Sequence, residues 1–412
     1  MAAAVEAHAP LTPWRGKDAQ RLVLPDRAYR EPDHAGEIVD LPLGTRVGVP
    51  RGRGRVRHDS TVAYISVTVK YVINDPAVPA DARQQIERAW PGTTLRGEPA
   101  PLAGGFWASM WRLRLQGQPA EVPGDVVIRL APDAAMGAKE LAVQQCLADL
   151  GYPTPHVRLT GVADLDRDAI WSLMDFAVGV PPLGDLNGLA SLRRAPQLFT
   201  SLPRQLATTM AVLHALDPDP VSSAVRAAAP SVAWNVDDLL DHFSAGAEAL
   251  ARADLVTACR TLVERRPVEG PTVICHGDLH PFNLLVDQQG HITVIDWTAA
   301  IRAEPAYDLA FTTLLLANPP LNARAPVDAV IRSIGNRLAH SFVSRYRALS
   351  PNAELDPLNW YQALHGLRIL LEAASQELRL AETPQTHPIA ALVPAASKTL
   401  TSVTGSLTAP RS

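Results

Sequence analysis

The sequence predicts an α+β chain of two lobes, a small strand-rich one followed by a larger helical one. Three observations predict it. Short apolar blocks bounded by Gly and Pro fill the region from about residue 90 to 176. Beyond residue 190 the apolar residues recur three to four apart, the spacing of amphipathic helices. One apolar ribbon, "TVICHGDLHPFNLLVDQQGHITVIDW" (272–297), interrupts that helical pattern and carries two acids and an amide on a hairpin.

A chain of 412 residues is long enough to bury a substantial core. Its 38 basic and 42 acidic residues nearly balance, so nothing pulls it broadly toward nucleic acid or an anionic membrane, and any partner must be recognised locally. The three cysteines, Cys146, Cys259 and Cys275, are odd in number and lack metal-ligand spacing, which fits a reduced, cytoplasmic compartment. The first residues lack the apolar run of a secretory signal, and no stretch reaches the ~18 apolar residues of a membrane span. "DLAFTTLLLA" (308–317) comes nearest and reads as a buried helix.

Taken in order, residues 1–60 are rich in Pro, Arg, Gly and Ala without periodicity and read as a disordered extension. The first lobe is expected over 61–176. It begins with a strand at "TVAYISVTVKYV" (61–72) and a helix at "PADARQQIERAW" (79–90), with Pro79 near its start. Strands follow in 93–115 and 124–132, separated by glycine turns. A helix over 134–150 ends on Gly151, and "AIWSLMDFAVG" (169–179) supplies a further short strand. The second lobe, 177–382, contains helical patterns at 204–216, 236–266, 327–349 and 358–381 around the hairpin. Residues 383–412 are small, polar and Pro-containing, the composition of a weakly ordered tail.

The ribbon holds the chemistry. "TVIC" delivers the chain to His276-Gly277-Asp278, Asn283 follows five residues later, and the second strand of the hairpin ends at Asp296. Phosphoryl transfer from ATP needs parts of this kind: a carboxylate beside the acceptor hydroxyl, and an amide and a second carboxylate to hold Mg²⁺ on the phosphates. Hard oxygen donors suit Mg²⁺, whose remaining positions go to water and phosphate. Two other readings of the same residues stand beside this one. The acids can be solvated loop residues, with Asp296 capping the next segment. His276, Asp278 and His280 can instead begin a zinc or metallophosphoesterase site, but "GDLNG" (184–188) and "IGNRLAH" (334–340) do not supply the further ligands that chemistry needs.

The segment "HGDLHPFNLLV", with "GHITVIDW" after it, resembles the catalytic loop and metal-binding aspartate of the aminoglycoside phosphotransferase and choline kinase-like family, and "EPAYDLAFT" (304–312) resembles the acidic segment that follows them. The resemblance spans roughly residues 90 to 380 and implies a bilobal, protein-kinase-like fold. It implies Asp278 as catalytic base or hydroxyl-orienting acid, His276 as a brace for the loop, Asn283 and Asp296 as Mg²⁺ ligands, and Asp308 as a structural anchor.

On the nucleotide side, Gly104 and Gly105 stand where the family bends a strand pair over the phosphates of ATP. Arg129 stands where it places a lysine, and Glu140 where it places that lysine's ion-pair partner. Arg and Lys are not interchangeable, and only four lysines exist, Lys17, Lys70, Lys139 and Lys398. Met174, Asp175 and Phe176 fall where the lobes join, so their backbone is expected to bind adenine.

Trp297 and Thr298 replace the Phe-Gly that follows this aspartate in protein kinases, and no Ala-Pro-Glu segment occurs, so a protein substrate is not expected. The expected partner is a small molecule with a hydroxyl acceptor, of aminoglycoside, sugar or amino-alcohol type, bound in the second lobe; neither nucleic acid nor a membrane is expected. Glu304, Asp356, Glu372 and Glu377 are candidates for attracting a cationic acceptor, or form an ordinary solvated face. The alternative function is a nucleotide-binding scaffold that keeps the fold without turnover, which the Arg129 departure favours and the presence of Asp278, Asn283 and Asp296 disfavours.

Overall fold

The computed structural model describes residues 78–102, 108–162, 169–183, 189–319, 327–380 and 388–405. The segment 1–60, the strand read over 61–72, and Gly104 and Gly105 lie outside the described residues.

An antiparallel sheet builds the first lobe. Strands β1 (Thr94–Leu95) and β2 (Ala100–Pro101) each pair with β3 (Ser109–Gln116), which pairs with β4 (Asp125–Ala131). The order continues through β6 (Ile170–Asp175) to β5 (Val157–Val162). Strand alternation sends Val126 and Ile128 of β4 to a fully buried face, where Ala82 and Ile86 of helix α1 (Ala80–Ala89) join them. The Asp81 carboxylate of α1 accepts the Trp171 indole N–H at 2.6 Å, which satisfies the one polar atom of that buried ring.

Between β4 and β5 runs helix α2 (Ala134–Asp149). Asp133 caps it by accepting the Met136 N–H at 2.9 Å, and Gly151, at a φ of 78°, turns the chain out of its end.

The second lobe comprises α3 (Leu189–His214), α4 (Pro218–Ala228), α5 (Val236–Ala249), α6 (Ala253–Glu264), α7 (Pro305–Ala317), α8 (Val327–Leu349) and α9 (Leu358–Leu380). Two short antiparallel pairs lie among these helices: β7 (Val273–Cys275) with β10 (Ile301–Ala303), and the hairpin of β8 (Leu284–Val286) and β9 (Ile292–Val294). Helix α7 is buried along nearly its whole length, as its apolar run predicts. No described helix is long and apolar enough to cross a membrane.

Backbone bonds tie the lobes together. Val294 N–H donates to Pro153 C=O at 2.8 Å, and Val180 and Val286 exchange two bonds of 3.0 and 2.9 Å. Gly179 makes the second contact possible, because its φ is 145° and a Cβ there would lie 2.9 Å from the Val286 backbone. Trp297, fully buried, donates its indole N–H to Thr154 Oγ at 2.9 Å and packs edge-on to Tyr152. The larger hydrophobic core reaches into the first lobe through Val143 and Leu147 of α2.

Residues 388–405 correct the expectation of a weakly ordered tail over 383–412. Residues Pro388–Leu392 form a 3₁₀ turn and Val393–Thr404 a helix, α10. Ala396 and Leu400 of α10 are fully buried. Gly366 of α9 allows the close approach, since a Cβ there would come within 2.6 Å of the Ala396 carbonyl oxygen. The segment is rich in alanine, which favours helix and packs closely but adds little apolar bulk to a sequence pattern. Truncating Leu400 to Ala is expected to cost about 2–5 kcal/mol, the range for a buried leucine. Denaturant unfolding checks this; an unchanged midpoint would mean that α10 contributes nothing to the core.

Candidate active site

Strand β7 ends at Cys275, His276 follows, and the next residue turns sharply. Gly277 has a φ of 74°, and a Cβ there would sit 2.1 Å from the Ala299 carbonyl oxygen, so only glycine fits. The loop that follows is held from below by Asp308, in the first turn of α7. Its carboxylate accepts the backbone N–H of His276 at 2.8 Å and of Gly277 at 2.6 Å. His214 Nε2 lies 3.2 Å from the same carboxylate, and its Nδ1 lies 2.7 Å from the Tyr346 hydroxyl. Burial alone would raise the Asp308 carboxyl, but the His214 hydrogen bond and charge, His276 and the Gly277 N–H together hold it below the usual range.

His276 is fully buried. Its Nε2 lies 3.1 Å from the Ile295 carbonyl, which can only accept, so the proton is on Nε2. Burial lowers its pKa despite nearby Asp308 and Asp296, and its ring packs on Trp297 at 4.6 Å. The side chain therefore props the loop against the hairpin.

Asp278 follows, with its carboxylate partly open to solvent and 3.8 Å from His280 Nε2. Burial pushes its pKa up to about 6, with Asp296 and Glu372 adding to the rise against the opposing pull of His280 and Arg368. Asn283 Nδ2 donates to the Asp278 backbone carbonyl at 2.9 Å, which turns the amide oxygen of Asn283 the other way. Ile295 N–H donates to the Asn283 carbonyl at 3.1 Å, so the two ends of the hairpin stay side by side. Asp296 itself has a φ of 67°, uncommon for a non-glycine residue.

The Asp296 carboxylate reaches a network shared with the first lobe. Thr298 Oγ lies 2.8 Å from Asp296 Oδ1 and 3.1 Å from Glu140 Oε2, so a single hydroxyl proton sits between two carboxylates. Arg129 of β4 forms an ion pair with Glu140 of α2 and approaches Thr298 Oγ at 3.4 Å. Burial would raise Asp296, but the Arg129 guanidinium and the Thr298 hydroxyl hold its pKa below the usual range. Burial raises Glu140 against the pull of Arg129.

At Met174–Phe176, where the adenine contact is expected, two backbone N–H groups are already paired. The N–H of Asp175 bonds the His156 carbonyl at 3.0 Å and that of Phe176 bonds the Asp125 carbonyl at 3.2 Å. Met174 is buried, and its sulfur lies 3.6 Å from Gln144 Nε2. The Asp175 carboxylate pairs with Arg158 at 2.7 Å, and Phe176 stacks under the Arg112 guanidinium at 4.1 Å. These two N–H donors are consumed by backbone pairing within the first lobe.

Three side chains that the sequence did not single out as site residues face the second lobe here. Lys139, one residue before Glu140, is 3 % exposed; its Nζ lies 3.4 Å from the Thr298 carbonyl and 6.0 Å from the Trp234 ring centroid. Burial, Arg368 nearby and only partial relief from Glu140 lower its pKa to about 7. Arg368 of α9 donates to the Gly277 carbonyl at 2.9 Å and to Glu372 at 3.1 Å. His242 of α5 is pushed down to about 4 by burial and by Lys139. The scarcity of lysine was the one available signal; Arg368 and His242 read as ordinary amphipathic helix.

A sheet lobe with an Arg–Glu pair, set over a helical lobe whose hairpin carries Asp278, Asn283 and Asp296, is the architecture of the protein-kinase-like phosphotransferases. The chain matches the phosphotransferase enzyme family over residues 100–335 and belongs to it, as a small-molecule kinase. No curated protein matches it in sequence. Among solved structures, a protein of Ralstonia eutropha JMP134 assigned as an aminoglycoside phosphotransferase is 16% identical with a TM-score of 0.54, over 78% of this chain and 95% of its own. A thermostable mutant of aminoglycoside phosphotransferase APH(4)-Ia, in complex with AMP-PNP and hygromycin B, is 19% identical with a TM-score of 0.51, over 79% and 99%. Amicoumacin kinase hAmiN, bound to AMP-PNP, Ca²⁺ and Ami, is 12% identical with a TM-score of 0.50, over 78% and 93%. At these identities the likeness is one of fold.

A buried lysine with a pKa lowered to about 7 penalises folding wherever it is charged. The penalty is full below pH 7 and fades as pH rises toward 10.5, the ordinary value. Lys139→Met is therefore expected to stabilise the protein by on the order of 2–4 kcal/mol below pH 7, with the gain vanishing near pH 10.5. Unfolding midpoints across that pH range check the sign; a destabilised variant at pH 6 would contradict it.

Proposed function

We propose that the protein transfers the γ-phosphoryl group of ATP, with Mg²⁺, to a hydroxyl of a small molecule. The observation that carries the reading is the convergence of Asp278, Asn283 and Asp296 on one hairpin, with its loop fixed by Asp308. The nucleotide analogues held by the APH(4)-Ia and amicoumacin kinase structures support it.

The donor set fits Mg²⁺. An amide oxygen turned away from its own loop and a carboxylate held ionised by Arg129 are hard oxygen donors of the kind this ion takes. Bound there by Asn283 and Asp296, the ion would neutralise charge on the transferring phosphates. Asp278, on the acceptor side of the hairpin, takes the hydroxyl proton as the new phosphate ester forms. The Arg129–Glu140 pair keeps α2 and β4 against the phosphates, and the linker at 177–179 presents main chain to the base. The scaffold alternative is not favoured: Arg129, the residue that departs from lysine, makes the ion pair with Glu140.

Asp278→Asn is expected to lower turnover on the order of 10²- to 10⁴-fold, the scale of a positioned acid or base. ADP release with Mg·ATP and acceptor measures this, and near-normal turnover would remove Asp278 from catalysis. Because Asp278 must be ionised to accept a proton and its pKa is raised to about 6, kcat/KM should fall as pH drops through 6. An ordinary carboxylate would place that limb near ~4. Asp296→Ala should shift the Mg²⁺ titration to higher concentration, and an unmoved titration would take Asp296 out of the metal site.

A further inference from the structure

A cavity of about 190 Å³ opens behind the anchor of the catalytic loop, lined by Ala211 and His214 of α3, Val273 of β7, Glu304, Tyr346 of α8 and Glu354. Its lining includes neither Asp278 nor any residue of the hairpin, so it is separate from the catalytic centre. Glu304, a candidate for drawing a cationic acceptor, belongs to this cavity instead.

Two carboxylates meet here without a cation. Glu304 is 5 % exposed; its Oε1 accepts the Gly270 N–H at 3.2 Å, and its Oε2 has no hydrogen-bond partner among the described residues. A Cβ on Gly270 would lie 3.2 Å from Glu354 Oε2 and 3.7 Å from Glu304 Cγ, so the two acids flank one residue. No arginine or lysine lines the cavity, and neither acid forms an ion pair among the described residues. Like charges held together, one of them buried, are costly unless a cation answers them.

The walls tell which cation. A metal ion such as Ca²⁺ takes about six to eight oxygen ligands, whereas Ala211 and Val273 give this cavity an apolar side. Its volume is that of roughly six waters at ~30 Å³ each, room for an organic body of a few carbons. A primary ammonium has three N–H donors, enough to reach the free oxygen of Glu304 and the carboxylate of Glu354 together.

We propose that this cavity is a second ligand site, and that its ligand is a small primary amine, bound as the ammonium between Glu304 and Glu354 with its hydrocarbon body against Ala211 and Val273. His214 lines the cavity and also bonds Asp308, so the ligand sits one side chain away from the anchor of the catalytic loop. The inference stands apart from the phosphoryl-transfer reading.

The test titrates the full chain with n-butylammonium by calorimetry at neutral pH, with n-butanol as the neutral match and Ca²⁺ as the metal alternative. Wild type should bind the ammonium saturably and not the alcohol. Glu304→Gln keeps an oxygen for the Gly270 N–H and should weaken ammonium binding roughly 10- to 100-fold, the scale for losing a hydrogen bond to a charged group. Glu354→Gln, at an exposed position, should weaken it too, and it decides the matter if Glu304→Gln fails to fold. Asp278→Asn should bind as wild type does, which keeps this site apart from the acceptor's. No saturable ammonium binding, butanol binding equally well, or an affinity unmoved by both glutamine variants would overturn the proposal, as would loss of binding in Asp278→Asn. Ca²⁺ binding abolished by Glu304→Gln, with the ammonium inert, would assign the carboxylates to a metal and overturn it as well. ADP release is not read in any of these titrations, so the kinase reading stands or falls separately.

Discussion

The carboxylate of Asp308, accepting two consecutive backbone N–H groups at the turn of His276 and Gly277, is the contact on which the site depends. A loop with a left-handed glycine at its corner has no sheet partner to define its path, so its geometry is borrowed from helix α7. Pairing of β7 with β10 brings the start of α7 to the loop, and His214 of α3, itself held by the Tyr346 hydroxyl of α8, fixes the carboxylate. Four separate elements thus converge on one side chain, and the position of Asp278 follows from theirs. Fixed geometry of this kind is what the proton acceptor proposed for Asp278 requires, because small displacements at a reacting group are expensive.

A second network makes the lobes act together. Thr298 stands between Asp296 and Glu140, and Arg129 closes the group from the sheet. The state of the carboxylate at the hairpin end is therefore tied to the seating of α2. Moving β4 away would strip Asp296 of Arg129, the cation that keeps it ionised.

The parts of the site carried by one short stretch were legible in the sequence. Asp278, Asn283 and Asp296 lie within a single hairpin, where the alternation of strand and turn residues fixes who stands beside whom. Likewise Arg129 and Glu140 were placed by their order along the chain, on a strand and the helix after it. Thr298, Arg368 and Lys139 were not legible as a set, because tertiary packing alone brings α2, α9 and the chain after β9 together. The same holds for α10, whose alanines and single buried leucine carry too little apolar bulk to mark a helix before its neighbour Gly366 is known. Where the lobes join, the backbone bonds that use up the N–H of Asp175 and Phe176 are invisible in one dimension.

The exchange of bonds between Val180 and Val286 turns strand β8 into a ruler. One end of β8 grips the linker and the other begins beside Asn283, three residues away. The span is about 10 Å at ~3.3 Å per residue. A nucleotide lying along it would have its base end and its phosphate end gauged by the same piece of backbone. On the proposed reading, that length is set within the second lobe, by β8 and the linker it grips.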